Sequence, residues 1–173
     1  MLAGTVVGMA DVTALIMDDH EWFRRQFARL DDADGADELS AIWQPLARRL
    51  ETHAQAEETI FYPALLQRGD PDGEETVDAI RDHNKIRDAI AEADRQQPGS
   101  PAWFEAVGRA RTENSEHLAE EEDEGLPDFR KHASAELRQR LGELWQQFYA
   151  AHPDGKAIST DDPDPQEYLD QHT

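Results

Sequence analysis

The chain contains no cysteine. That one absence excludes disulfides, thiolate metal sites, iron–sulfur clusters and thiol nucleophiles. Basic residues are scarce: 17 Lys and Arg stand against 38 Asp and Glu, for a net charge of −21. So acidic a surface repels phosphate backbones, which makes nucleic acids and anionic membranes poor partners. No apolar run approaches the length needed to cross a bilayer. The sequence also lacks a Gly-rich phosphate loop and a G-x-S-x-G elbow, which argues against phosphoryl transfer and against a serine nucleophile. The opening MLAGTVVGMA is mildly apolar but has no basic flank, so it does not read as a signal peptide and a cytoplasmic location is expected.

Strand signals are missing as well, since no run of alternating β-branched residues occurs. Glycine and proline cluster at Gly35, at Gly69-Asp-Pro-Asp-Gly73 and at Pro98-Gly-Ser-Pro101. Between these turns lie long stretches rich in Ala, Leu, Glu, Arg and Gln, which favour helix. The apolar spacing predicts helices over about Asp11–Leu30, Asp37–Gln67, Glu74–Gln97 and Ser100–Glu124. Pro45 and Pro63 should start, kink or end a helical piece within the second, and Gly125 with Pro127 should close the fourth. A fifth helix is expected over Ser134–Ala150. The last residues, His152–Thr173, carry three prolines and six acids against one lysine, so an extended or loosely docked tail is expected, anchored by Tyr168 and Leu169. The length suits one domain. The fold class expected is all-α: an up-down-up-down four-helix bundle over residues 1–131, with an added C-terminal helix and acidic tail over 132–173.

The helices repeat one another. His53-Ala-Gln-Ala-Glu57-Glu58 precedes Pro63, and His117-Leu-Ala-Glu-Glu121-Glu122 precedes Pro127 at identical spacing. Asp19-His20 with Arg24 matches Asp82-His83 with Arg87. The pattern describes two helical hairpins related by a pseudo-twofold axis. Each supplies a lone histidine from one helix and a His/Glu pair from the next. Residues four apart share a helix face, so His53 pairs with Glu57 and His117 with Glu121. Distances from the turns put His20, His53, His83 and His117 at one level of antiparallel helices. Four imidazoles and two carboxylates then converge in the core, a costly burial without a partner. Imidazole with carboxylate and no thiolate suits iron, manganese or zinc. Two glutamates shared between two ions would give each ion two oxygens and two imidazoles, leaving positions open for a bridging oxo or hydroxo group and a small ligand. A single tetrahedral zinc would use only some of these donors.

The pattern H…H-x-x-x-E…H…H-x-x-x-E on four helices resembles the hemerythrin-like (HHE cation-binding) family, over about Asp11–Lys131. The resemblance implies that His20 and His53 hold one iron, that His83 and His117 hold the other, and that Glu57 and Glu121 bridge them. It implies a non-haem di-iron protein that binds or turns over oxygen, hydrogen peroxide or nitric oxide, with catalase-like peroxide decomposition as a candidate activity. The alternative is a non-catalytic sensor of oxygen, nitric oxide or iron. Oxygen-carrying hemerythrins have a further histidine four residues after the lone histidine of the third helix. Here that position is Arg87, which favours a reactive or sensing centre over a reversible carrier.

Several neighbours need a reading too. Glu120, Glu122, Asp123 and Glu124 read as a solvated face, with Glu120 a substitute ligand at i+3. Glu58 and Glu122 rotate away from the ligand face. Arg24 and Arg87 read as surface ion pairs, or alternatively as cations lining a substrate pocket. Asp19 and Asp82 can orient imidazoles. Tyr62 falls about 180° around an ideal helix from His53 and is not expected in the site. His132, His152 and His172 lie outside the layer, and the four tryptophans read as packing.

Overall fold

The computed structural model describes residues 10–173; the reading of MLAGTVVGMA falls almost wholly outside them. The described residues are all-helical. Helix α1 spans Val12–Asp32, with Asp11 capping it by accepting from the Thr13 amide. Helix α2 spans Ala36–Ala56, passes through a π turn at Glu57–Phe61, and continues as α3, Tyr62–Arg68. Helix α4 spans Glu74–Asp94. Helix α5 spans Pro101–Glu120, capped by Ser100, passes through a second π turn at Glu121–Gly125, and continues as α6, Leu126–His132. Helix α7 spans Ala135–Ala151, with Ser134 accepting from the Leu137 amide. Helix α8 spans Pro165–His172.

Three local expectations are corrected. Gly125 and Pro127 do not end the fourth helix, which runs on to His132. Pro63 and Pro127 each follow a π turn by two residues, where the widened backbone makes room for the ring and the lost N–H. Helix α2 runs through Pro45, and Pro45 and Ala41, one turn before it, both lie on its exposed side, where a lost backbone hydrogen bond costs least. The tail docks through Tyr168 and Leu169 as expected, but it is not extended throughout. Its last residues form α8, which packs on α4 and buries Tyr168. The Tyr168 hydroxyl donates to the Glu58 carbonyl, and Leu169 lies against Gly73.

Packing divides the apolar interior in two. One cluster gathers Phe23, Phe27, Trp43, Leu46, Ile90 and Trp103. The other gathers Ile16, Phe61, Leu65, Ile80, Phe129 and Trp145. Along α1 the chain passes from Ile16 in one cluster to Phe23 in the other, with His20 between them. His53 lies in the same way between Leu50 and Ala56, and His83 between Ile80 and Ile86. A polar layer therefore separates the two apolar halves. Burying it without compensating partners would be costly.

Candidate metal centre

All six residues singled out by spacing meet in this layer. His20, His53, Glu57, His83, His117 and Glu121 are each at most 6% exposed. Donor atoms of His20, His53, Glu57 and Glu121 lie within 4.8 Å of one another, and so do those of Glu57, His83 and His117. Glu57 belongs to both groups. Its Oε1 is 2.9 Å from His53 Nε2, and its Oε2 is 3.0 Å from His83 Nε2. Glu121 Oε2 is 3.2 Å from His20 Nε2.

The four imidazoles turn Nε2 inward because carboxylates hold the other nitrogen in three of them. His20 Nδ1 meets Glu122 at 2.9 Å, His53 Nδ1 meets Asp19 at 3.0 Å, and His83 Nδ1 meets Glu58 at 2.8 Å. His117 Nδ1 lies farther from Asp82, at 3.9 Å. Glu58 and Glu122, the second glutamate of each repeat, are in turn each held by an arginine. Arg87 binds Glu58 at 2.9 Å and Arg24 binds Glu122 at 2.9 Å. Glu58 and Glu122 thus work from the back of the ligand face, on a histidine of a neighbouring helix. Arg24 and Arg87 serve these carboxylates; neither lines the cavity beside Tyr62 and Glu121, and Arg87 lines a smaller one of about 10 Å³ against His53, His83 and His117. The pattern E-E after each histidine was the available signal: one glutamate faces the centre, and the next reaches the histidine beside it.

Tyr62 is the residue that ideal helix geometry misses. The Tyr62 amide bonds the Glu57 carbonyl, an i→i+5 link that stacks the two residues on one face. The phenol lies 3.1 Å from Glu57 Oε2, 3.2 Å from Glu121 Oε1 and 3.3 Å from His83 Nε2. In the second repeat the matching residue is Leu126, whose amide likewise bonds Glu121. The phenol therefore breaks the twofold symmetry. The signal for it was a proline six residues after each glutamate inside a pattern that stays helical.

Electrostatics follow from this packing. Burial alone would lower the His53 pKa, but the Glu57 and Asp19 carboxylates raise it to about 10. Burial works against ionisation of Glu57, yet His53, His117 and His83 hold its carboxyl well below the usual range. Burial and then the Glu121 and Glu57 carboxylates push the Tyr62 phenol well above its ordinary value, so it keeps its proton.

A metal fits the group formed by His20, His53, Glu57 and Glu121, whereas His83 Nε2 and His117 Nε2 lie 3.2 Å apart and contact each other. His20 Nε2, His53 Nε2, Glu57 Oε1 and Glu121 Oε2 are buried with no hydrogen-bond partner. Their close approaches lack hydrogen-bond geometry, as expected of lone pairs aimed at a common point. An ion placed among them would satisfy all four.

The model of the hemerythrin HHE cation binding domain matches residues 11–129. The chain belongs to the hemerythrin family. No curated protein and no solved structure matches it. The hemerythrin match spans all six donors and ends before α7 and α8. No helix among the described residues is long and apolar enough to cross a membrane.

Proposed function

We propose that this hemerythrin-family protein is a four-helix, up-down-up-down di-iron protein that binds and turns over a small oxidant, with hydrogen peroxide first. The observation that carries this reading is the six-residue N4O2 layer, with Glu57 offering one oxygen to each half. His20 and His53 would hold one iron, and His83 and His117 the other. Glu57 and Glu121 would bridge them. A bound di-iron pair supplies ferrous–ferric redox cycling and open coordination positions.

The protein's own groups set the conditions around it. Asp19, Glu58 and Glu122 hold three imidazoles by Nδ1 and keep Nε2 turned inward. The two apolar clusters flank the layer and strengthen each electrostatic contact inside. The Tyr62 phenol keeps a proton beside Glu57, Glu121 and His83, where it can be given to an oxidant entering on that side. No equivalent group stands at Leu126, so the two halves differ in chemistry. Arg87 occupies the position of the oxygen carriers' extra histidine and is engaged with Glu58, which favours turnover over reversible carriage. The bundle proper would be residues 1–131, with α7 and α8 as additions in 132–173. The partner would be oxygen, peroxide or nitric oxide in the cytoplasm, with neither nucleic acid nor membrane involved.

Peroxide added to iron-loaded protein tests this. Sustained oxygen release supports turnover. A stable optical change without release supports the alternative, a sensor or binder.

A further inference from the structure

Beside the layer lies a cavity of about 230 Å³. Tyr62, His117 and Glu121 form its inner end, and Glu121 is 6% exposed with Oε2 unpaired. Its outer wall carries Glu74, Asp78, Glu120 and Glu124, with Glu75 half-buried deeper in, and no lysine or arginine lines it. Glu74, Asp78, Glu120 and Glu124 are exposed, so their charges face the approach rather than the core. Gly125 stands at the inner end, where its missing side chain leaves space between Glu121 and Glu75. A volume of this size holds about eight waters at about 30 Å³ each and falls below the ~300–1,000 Å³ of pockets for organic ligands of drug size.

We propose that this cavity is the entrance to the metal centre, and that its carboxylates draw metal cations in, pass neutral oxidants and hold anions off. The inference rests on the di-iron reading and adds the route and the charge class of what enters. Carboxylates of one sign around a narrow opening focus the field along it, and such focusing changes association rates far more than it changes affinity. A larger cavity of about 550 Å³ elsewhere is lined by Arg48 and Arg49 and touches none of the six donors. Arg48 and Arg49 therefore stand away from this opening; Arg87 lines a separate cavity of about 10 Å³ against His53, His83 and His117, with room for no more than one water-sized species.

The experiment compares the unaltered chain with Glu74→Gln/Asp78→Asn/Glu124→Gln, three exposed positions outside the donor set. Metal-free protein is mixed anaerobically with ferrous iron, and loaded protein with azide or nitric oxide. Neutralising the wall is expected to slow ferrous uptake about tenfold and speed azide association about tenfold, with nitric oxide changed less than about twofold. In the unaltered chain, added salt is expected to slow ferrous uptake and speed azide association. Ferrous and azide rates that ignore both the substitutions and the salt overturn the entrance while leaving the centre standing. Failure of the unaltered chain to take up iron overturns the centre itself, and the entrance with it.

Discussion

Tyr62 stands one π turn beyond Glu57, and its hydroxyl lies 3.1 Å from the carboxylate oxygen that also faces His83. The widened turn is what makes this pair possible. In an uninterrupted α-helix the phenol would point well away from Glu57. The repeat places Leu126 at the matching position, so one half of the centre has a proton donor and the other does not.

Tyr62→Phe keeps the ring and removes the proton. It should leave iron content unchanged and lower peroxide turnover about a hundredfold, the usual scale of a lost proton donor. Stability should fall by about 1–2 kcal/mol for the lost buried hydrogen bond. Turnover measured beside iron content checks this. Equal turnover in both proteins contradicts the role given to the phenol.

Glu58 and Glu122 do the same work in different surroundings. Glu58 pairs with Arg87, whose side chain is 3% exposed, and Glu122 pairs with Arg24, whose side chain is 45% exposed. Glu58→Ala strands a buried guanidinium and should cost about 3–5 kcal/mol. Glu122→Ala strands an exposed one, so that ion pair adds under about 1 kcal/mol to the cost of the lost His20 contact, which Glu58→Ala matches with its lost His83 contact. Both should weaken metal binding about 10–100-fold through the histidine each one orients. Denaturant melts and metal titrations of the two variants separate these effects.

These outward contacts mark the limit of what the sequence reveals. The convergence of these six residues in one layer was legible because the repeat fixes their spacing and the turns fix their level. The π turns were not, because they depend on how the backbone relaxes around Glu57 and Glu121. With them went Tyr62 and the continuation of the fourth helix past Gly125. The tasks of Glu58 and Glu122 were hidden for another reason: each acts on a histidine of a different helix, which periodicity along one helix cannot show. The anchors of the tail, Tyr168 and Leu169, were legible as its apolar residues, and they do dock on the Glu58 carbonyl and Gly73; the helix that carries them was not, because its short acidic segment is held by tertiary contacts.

Glu75 gives a pH dependence. Burial, then Asp128, Asp70 and Glu124, push its carboxyl up from the ordinary 4.5 to about 8. The folded chain therefore binds this proton more tightly than the unfolded chain. Its contribution is fully present below pH 4.5 and is lost as pH rises through 8. Glu75→Gln should raise the melting temperature at pH 9 and leave it nearly unchanged at pH 4. Thermal melts at both values check the sign.

Gly142 tests how α7 is attached. A methyl group there would overlap the Ala10 carbonyl and crowd the Val12 amide. Glycine to alanine within a helix ordinarily stabilises by about 1 kcal/mol. Here Gly142→Ala should destabilise by about 1–3 kcal/mol, because the start of α1 must move. Urea denaturation measures it, and a gain in stability contradicts the close packing of α7 on α1.

The central claim is a dinuclear site built from His20, His53, Glu57, His83, His117 and Glu121. Iron analysis of the purified protein after anaerobic loading, run beside Glu57→Ala, tests it most directly. The expected result is two irons per chain in the unaltered protein and loss of the pair in the variant. A single zinc, no bound metal, or the same iron content in both proteins would contradict it.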